Sequence, residues 1–127
     1  MKDIKWDDSL LIGNDLIDAQ HKMLIGLIGA IPESKSPGDE LALDEAIVYA
    51  ETHFVDEEEL LEEIGYPKLL EHKEMHKDMS AILETYKRDY DDGKNDLYAF
   101  KQFMYAWIRG HIMQEDKKIG AYLRSVG

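Results

Sequence analysis

The sequence predicts an all-α protein, an antiparallel up-down-up-down four-helix bundle with an N-terminal arm. The first observation behind this prediction is that apolar residues recur at steps of three and four over long stretches. This is the period of a helix with one buried face, and strand-like alternation is not sustained anywhere. The second observation is that three turn-forming breaks, at residues 32–38, 65–67 and 91–95, divide the chain into four such stretches. Short connections between helices of similar length favour antiparallel neighbours.

The length of the chain fits one domain. Its 127 residues suffice for a single core, and 44% of them are hydrophobic. We therefore expect residues 1–127 to form one domain. Residues 1–13 would be the arm, and the helices would span roughly 15–31, 37–64, 67–92 and 95–119.

The first two helices each carry a buried stripe that includes polar residues. Ser36, Pro37 and Asp39 resemble a capped start for the second helix, and Gly65 suits its exit. The first stripe is Ile17, His21, Leu24, Ile28 and Ile31, and the second is Leu43, Ile47, Ala50, Phe54, Glu57, Leu61 and Ile64.

The last two helices continue the pattern, with one irregularity. Pro67 can open the third helix, Gly93 can end it, and Asn95 can cap the fourth. The fourth stripe slips by one residue after His111, so we predict a π-type irregularity between His111 and Asp116. The third stripe is Leu69, His72, His76, Met79, Leu83, Tyr86 and Tyr90, and the fourth is Leu97, Phe100, Met104, Trp107 and His111, resuming with Asp116, Ile119 and Leu123.

Composition excludes several classes of function. The formal net charge of −12 disfavours nucleic acid or an anionic membrane as a partner, since both require clustered positive charge. The lack of cysteine removes disulfides, iron–sulfur clusters, thiolate zinc sites and thiol nucleophiles. The N-terminus has no signal-like apolar region, and the longest apolar stretch is far shorter than the roughly 18–20 residues of a membrane span. We therefore expect a cytoplasmic protein.

Five histidines lie on or beside the buried stripes of all four predicted helices. A lone histidine on an apolar face is more often a hydrogen-bonded core residue than a ligand. Five of them would need hydrogen-bond partners that these stripes do not supply, whereas a metal would satisfy their nitrogens directly. His72 and His76, like His53 and Glu57, are four residues apart and so share a helix face. The rest of the acidic run, Asp56 to Glu59, is interpreted as a solvated surface.

The resulting ligand set is five imidazoles and two carboxylates. It suits iron, zinc, copper or nickel better than calcium or magnesium, and it is too large for one ion. Two six-coordinate ions bridged by both carboxylates and by one solvent-derived oxygen would retain one open position, where a small ligand such as dioxygen could bind. The predicted ligands are His21, His53, Glu57, His72, His76, His111 and Asp116.

The predicted ligands lie within four longer sequence strings. The strings are Ile17-Asp18-Ala19-Gln20-His21, His53-Phe54-Val55-Asp56-Glu57-Glu58, Gly65-Tyr66-Pro67 with His72-x-x-x-His76, and Trp107-Ile108-x-x-His111-Ile112 with Asp116. Together they resemble hemerythrins of the bacterial type, and Trp6-Asp7 in the arm also fits this family. The resemblance covers essentially the whole sequence.

The resemblance implies reversible dioxygen binding at two non-haem irons that share an oxo or hydroxo bridge. It further implies that His72, His76 and His111 hold one iron, that His21 and His53 hold the other, and that Glu57 and Asp116 bridge them. Phe54, Trp107 and Ile108 would then line the oxygen pocket.

Two positions depart from the family pattern: Met79 stands where we expect phenylalanine, and Ile108 where leucine is frequent. Ordinary core packing is the simpler interpretation of both, although either could alter oxygen affinity or autoxidation.

Two functional hypotheses, and a weaker third, follow from this centre. The leading one is a binding protein that carries, stores or senses dioxygen without turnover. The rival is a di-iron enzyme that reduces peroxide or nitric oxide, or oxidises ferrous iron. The nitrogen-rich ligand set favours binding, because oxygen-activating di-iron enzymes on helical bundles use carboxylate-rich sites. A metal-free helical adaptor would leave the histidines unexplained. We expect a monomer.

Overall fold

The computed structural model describes residues 5–33, 38–93 and 97–126, and it confirms the all-α bundle. No β-strand occurs among these residues. Helix α1 packs on α2 and on α4, and α2 packs on α3. The helices are α1 (Asp15–Ala30), α2 (Asp39–Glu63), α3 (Leu69–Asp91), α4 (Leu97–His111) and α5 (Lys117–Val126), and a π-helical turn (Ile112–Asp116) joins α4 to α5.

Local interactions fix the ends of these helices. The side chain of Asn14 caps α1 by accepting a hydrogen bond from the backbone N–H of Ile17 at 3.0 Å. At the other end of α1, the buried Lys101 ammonium donates to the carbonyl of Gly29 at 3.2 Å, where the helix dipole favours a cation. Gly65 and Gly93 adopt positive φ angles of 69° and 74° just beyond α2 and α3, as helix exits require.

Some helix ends differ from those predicted. Helix α3 begins at Leu69, because Pro67 lies in the preceding turn, where the N–H of Leu69 donates to the carbonyl of Tyr66 at 3.2 Å. The last helix continues past residue 119 to Val126, partly because the Tyr122 hydroxyl donates to the carbonyl of Gly65 at 3.2 Å. The predicted starts at Ser36, Pro37 and Asn95 lie outside the described residues.

The predicted stripes form the core. Each of their members is buried except for five that are half-buried, and burying a large aliphatic side chain contributes about 1.5–3 kcal/mol. Consecutive helices from α1 to α4 run in opposite directions, so the polar stripe residues of all four gather at one end of the bundle and the apolar residues fill the remainder. The half-buried members are Ile64, Leu69, Tyr86, Trp107 and Leu123.

Within the described part of the chain, no helix combines the length and the apolar character that crossing a membrane requires.

The N-terminal arm is fastened to two helices. The carboxylate of Asp18 accepts hydrogen bonds from the backbone N–H groups of Ile12 at 2.8 Å and Gly13 at 3.1 Å. The carbonyl group of Ile12 then lies directly over Gly120 of α5, where any Cβ atom would overlap it. The arm can therefore occupy this position only because residue 120 has no side chain.

We expect Gly120→Ala to lower the free energy of unfolding by about 1–3 kcal/mol, because the added methyl group must displace the arm. Gly26→Ala is the matched control: Gly26 is an exposed helical glycine with nothing within 4 Å of an added Cβ. This control should raise the free energy of unfolding by up to about 1 kcal/mol. Chemical denaturation of the two variants and the parent protein measures the difference, and equal stabilities for both variants would contradict the packing of the arm.

Candidate metal centre

The polar end of the core contains all seven residues that the sequence proposes as ligands. Every helix from α1 to α4 contributes at least one of them, and the π-helical turn contributes the last. None is more than 7% exposed to solvent. They are His21 from α1, His53 and Glu57 from α2, His72 and His76 from α3, His111 from α4, and Asp116 from the π-helical turn.

Helical spacing explains most of this convergence. His53 and Glu57 lie one turn apart on α2, as do His72 and His76 on α3, so each pair faces the core together. His111 and Asp116 are five residues apart, which would separate them on a regular helix. The π-helical turn accommodates the extra residue and brings His111 Nε2 to 3.1 Å from Asp116 Oδ1. The predicted irregularity between them is confirmed.

Glu57 lies in the middle of this cluster, and its two carboxylate oxygens face different histidines. Oε2 lies 3.5 Å from His21 Nε2 and 3.2 Å from His53 Nε2. Oε1 lies 2.5 Å from His72 Nε2 and 3.3 Å from His76 Nε2. Glu57 therefore stands between two groups of histidines.

Asp116 divides the histidines in the same way. Its Oδ2 lies 3.0 Å from His21 Nε2, whereas its Oδ1 lies 3.1 Å from the Nε2 atoms of both His72 and His111. Each carboxylate thus presents one oxygen to each side. We refer to the two sides as the two-histidine compartment (His21, His53) and the three-histidine compartment (His72, His76, His111).

The donor atoms converge without satisfying one another. Most of these imidazole nitrogens and carboxylate oxygens lie close to one another but lack the geometry of a hydrogen bond. A buried polar group without a hydrogen bond lowers the free energy of unfolding. Nitrogen and oxygen atoms directed toward a shared point suit a cation at that point, so the residues present fit bound metal ions. Within the described chain, the cluster atoms that are buried without a hydrogen-bond partner are Nδ1 and Nε2 of His21, Nε2 of His76 and His111, Oε2 of Glu57, and both oxygens of Asp116.

The charges of the cluster also favour a bound cation. Burial lowers the pKa of His21, but the nearby carboxylates of Asp116 and Glu57 outweigh it and raise that pKa to about 9. The same balance raises the pKa of His72 to about 9. Burial favours protonation of Glu57, yet the surrounding imidazoles hold its pKa well below the ordinary value. Burial and the charge of Glu57 favour protonation of Asp116, but hydrogen bonds from the nearby imidazoles outweigh them and lower its pKa. Both buried carboxylates are therefore ionised, and bound metal would replace protons on the imidazoles.

Side chains outside the cluster orient two of the imidazoles. His53 Nδ1 lies 2.7 Å from Gln20 Oε1, and the Gln20 amide in turn donates to Asp56 Oδ2 at 2.9 Å. His76 Nδ1 lies 2.8 Å from Glu58 Oε2. If each Nδ1 donates its proton to these oxygens, Nε2 remains free to bind metal.

The interpretation of Asp56, Glu58 and Glu59 as a solvated surface was therefore wrong for Asp56 and Glu58. Both are half-buried, whereas Glu59 is exposed. Sequence reasoning assigned no role to them or to Gln20. The available signal was positional: Gln20 directly precedes one predicted ligand, and Asp56 and Glu58 flank another.

Aromatic and aliphatic side chains enclose the cluster on its inner side. The ring of Phe54 stacks on His76 at 4.2 Å between centroids, and Trp107 stacks on His111 at 4.6 Å. Phe54, Trp107 and Ile108, the predicted pocket residues, line one narrow apolar cavity that is too tight to admit a water-sized molecule. The remaining lining residues are Leu24, Ala50, Met79, Leu83 and Met104.

Comparison with known proteins relates this chain to one family. The family model for the hemerythrin HHE cation binding domain matches residues 12–123. A bacteriohemerythrin from Stenotrophomonas maltophilia (strain R551-3) is 30% identical over 116 residues, covering 88% of this chain and 76% of the relative. A bacteriohemerythrin from Clostridium acetobutylicum is 31% identical, covering 89% of this chain and 95% of the relative.

The fold is also that of a solved structure. The crystal structure of a wild-type hemerythrin superposes with a TM-score of 0.84 at 21% identity, covering 92% of this chain and 95% of that one. At this level of identity the likeness establishes the fold alone.

We expect Glu58→Ala to weaken binding of a divalent metal by about 10- to 100-fold, because His76 loses the carboxylate that orients its ring. Glu59→Ala removes an equal charge from the next, exposed position on α2 and should leave the affinity unchanged. Competition with a chromogenic chelator measures both. Equal losses in the two variants would show that only the general negative charge of this surface matters.

Proposed function

This chain belongs to the hemerythrin family, and from that premise we propose that it binds dioxygen reversibly at a pair of non-haem irons in the buried centre. Carriage, storage and sensing of oxygen all use such binding. The observation that carries the proposal is the unequal division of five imidazoles around two shared carboxylates. This division leaves one compartment a nitrogen ligand short.

Each compartment would hold one iron. His72, His76 and His111 would bind the first iron, and His21 and His53 the second. Glu57 and Asp116 would bridge them together with an oxo or hydroxo group. Support comes from the contacts of the two carboxylates, because each directs one oxygen toward the two-histidine compartment and the other toward the three-histidine compartment. On this assignment the open position belongs to the iron in the two-histidine compartment.

The protein's own side chains would keep the binding reversible. When bound and reduced, the two irons would supply the electrons for reversible binding of dioxygen. Phe54, Trp107 and Ile108 present only hydrocarbon and ring surface to the cavity, which disfavours entry of water and protons. Gln20 and Glu58 hold imidazole protons at Nδ1, on the side of the rings away from the cluster.

The composition of the cavity favours binding over catalysis. Reduction of peroxide or nitric oxide consumes protons, and an enzyme of that kind benefits from a general acid near the reacting ligand. All eight lining residues of the cavity are apolar, and none can donate a proton from an ionisable side chain. Dioxygen binding is therefore favoured over the rival hypothesis, an enzyme that reduces peroxide or nitric oxide or oxidises ferrous iron. The cytoplasmic location and monomeric state expected from the sequence stay predictions.

The direct test is optical. Anaerobic protein loaded with ferrous iron should gain a visible charge-transfer band on exposure to oxygen and lose it under vacuum over repeated cycles, with two irons per chain. His76→Ala is the control, because removal of a ligand from one compartment should lower the iron content and abolish the band. Rapid one-way oxidation with sustained consumption of peroxide or nitric oxide would instead favour an enzyme.

We expect Ile108→Ala to accelerate autoxidation, because the smaller side chain opens the apolar cavity to water. Ile47→Ala is the matched control, since Ile47 is also buried but does not line this cavity. Both variants should lose about 2–5 kcal/mol of stability. Decay of the oxygen-dependent band, followed at a temperature where both variants are folded, should be faster only for Ile108→Ala. Equal decay would show that Ile108 does not protect the site.

A further inference from the structure

We propose that the outward face of α1 and α2 is a docking surface for a basic amphipathic helix of another protein. This face, here called the α1/α2 surface, consists of one row of exposed or half-buried apolar side chains on each helix, with acidic side chains beside them. The inference does not rest on the proposed function, because none of these residues belongs to the metal centre. The apolar rows are Leu16, Met23 and Leu27 on α1 and Leu41, Val48 and Val55 on α2.

The apolar side chains of the α1/α2 surface recur at a helical spacing. Leu41, Val48 and Val55 are seven residues apart, or about two turns, so they form one line along α2. Leu16 and Met23 repeat this spacing on α1, and each of the five is more than half exposed to solvent. No element within the described chain covers them. A continuous exposed apolar area of this kind is typical of an interaction site.

An open groove lies between the two rows. Its volume is about 430 Å³. The two helices are held together beside it, because the Gln20 amide of α1 donates to Asp56 Oδ2 of α2 at 2.9 Å. A groove between two fixed helices accommodates the side chains of a third helix, and the described residues offer no strand edge to which an extended segment could add. The lining residues are Leu27, Asp44, Glu45, Val48, Tyr49 and Thr52.

The charges of α2 select a basic occupant. Eleven of its 25 residues are Asp or Glu, and none is Lys or Arg. Glu45 and Glu59 follow apolar residues of the α2 row by four positions, so they lie beside that row. Lys87 of α3 pairs with Asp44 at 3.2 Å, whereas Glu45 and Glu59 have no ion-pair partner among the described residues. Lys or Arg side chains on the flanks of a docked apolar helix would supply those partners.

The same charges disfavour the other occupants of such a surface. A second copy of this chain would bring two acidic α2 helices together, and each copy has a formal net charge of −12. An anionic membrane would be repelled in the same way. The row from Leu41 to Val55 spans roughly 21 Å, so a helix of about 15 residues matches its length.

Peptide titrations test the proposal on the full chain with metal bound. The probe is a fluorescein-labelled synthetic helix of about 15 residues with leucine at steps of three and four and lysine elsewhere. The comparison probe has glutamate in place of lysine. We expect fluorescence anisotropy to show binding of the lysine peptide alone, with a dissociation constant that rises at least about 10-fold as added salt screens the acidic side chains. No binding of the lysine peptide, or equal binding of both peptides, would overturn the proposal.

Substitutions in the apolar row of α2 locate the binding site. Leu41→Gln with Val48→Gln removes two apolar side chains and keeps good helix formers at both positions. The matched control, Leu70→Gln with Ile82→Gln, makes the same kind of change at exposed positions on α3. We expect the first variant to raise the dissociation constant of the lysine peptide at least about 10-fold, and the control to leave it unchanged. Equal effects would show that the peptide adheres to any exposed apolar residue, which overturns the proposal.

Charge variants test the acidic side chains separately. Glu45→Gln with Glu59→Gln should raise the dissociation constant about 3- to 10-fold. Glu74→Gln with Asp78→Asn removes an equal charge from exposed positions on α3 and should leave it unchanged. Equal losses in the two variants would attribute binding to net charge alone and would overturn the proposal.

Sedimentation velocity without peptide tests the alternative occupant. We expect the parent protein and the variant with Leu41→Gln and Val48→Gln to sediment as species of the same size. A larger species in the parent that dissociates in the variant would show that a second copy of the chain covers the α1/α2 surface, and the proposal would be overturned.

Discussion

The burial of two ionised carboxylates is the constraint on which the rest of the structure depends. Glu57 and Asp116 are fully removed from solvent, and such groups are tolerated only when positive charge or donors surround them. Five imidazoles from four helices provide that environment, and each helix must present its histidine at the same height in the bundle. The length and direction of the helices, the short turns between them and the apolar filling of the opposite end all serve this convergence.

One local departure from regular structure makes the convergence possible. A regular helix from Leu97 onward could direct either His111 or Asp116 toward the core, but not both. The π-helical turn shifts the register by one residue and allows both to contribute. The helix then continues into α5, whose Tyr122 hydroxyl and Gly120 backbone contact the turn after α2 and the N-terminal arm. The contacts of α5 thereby hold the C-terminal side of the irregularity in place.

The hydrophobic pattern predicts most of this arrangement, because the residues on the buried face of a helix recur at steps of three and four in the sequence. The four stripes, the seven clustered side chains and the irregularity before Asp116 could all be inferred in this way. The roles of Gln20, Asp56 and Glu58 could not, since each depends on how a long polar side chain is directed between neighbouring helices. The delayed start of α3 after Pro67 likewise depends on backbone hydrogen bonds in the turn rather than on residue type.

The position of Asp116 has a consequence for how the protein is made. This carboxylate contacts both compartments, yet it is the last of the seven side chains in chain order. A nascent polypeptide emerges from its N-terminus, so four histidines leave the ribosome well before the last bridging group does. Neither half of the centre therefore has its full set of ligands until Asp116 has been made.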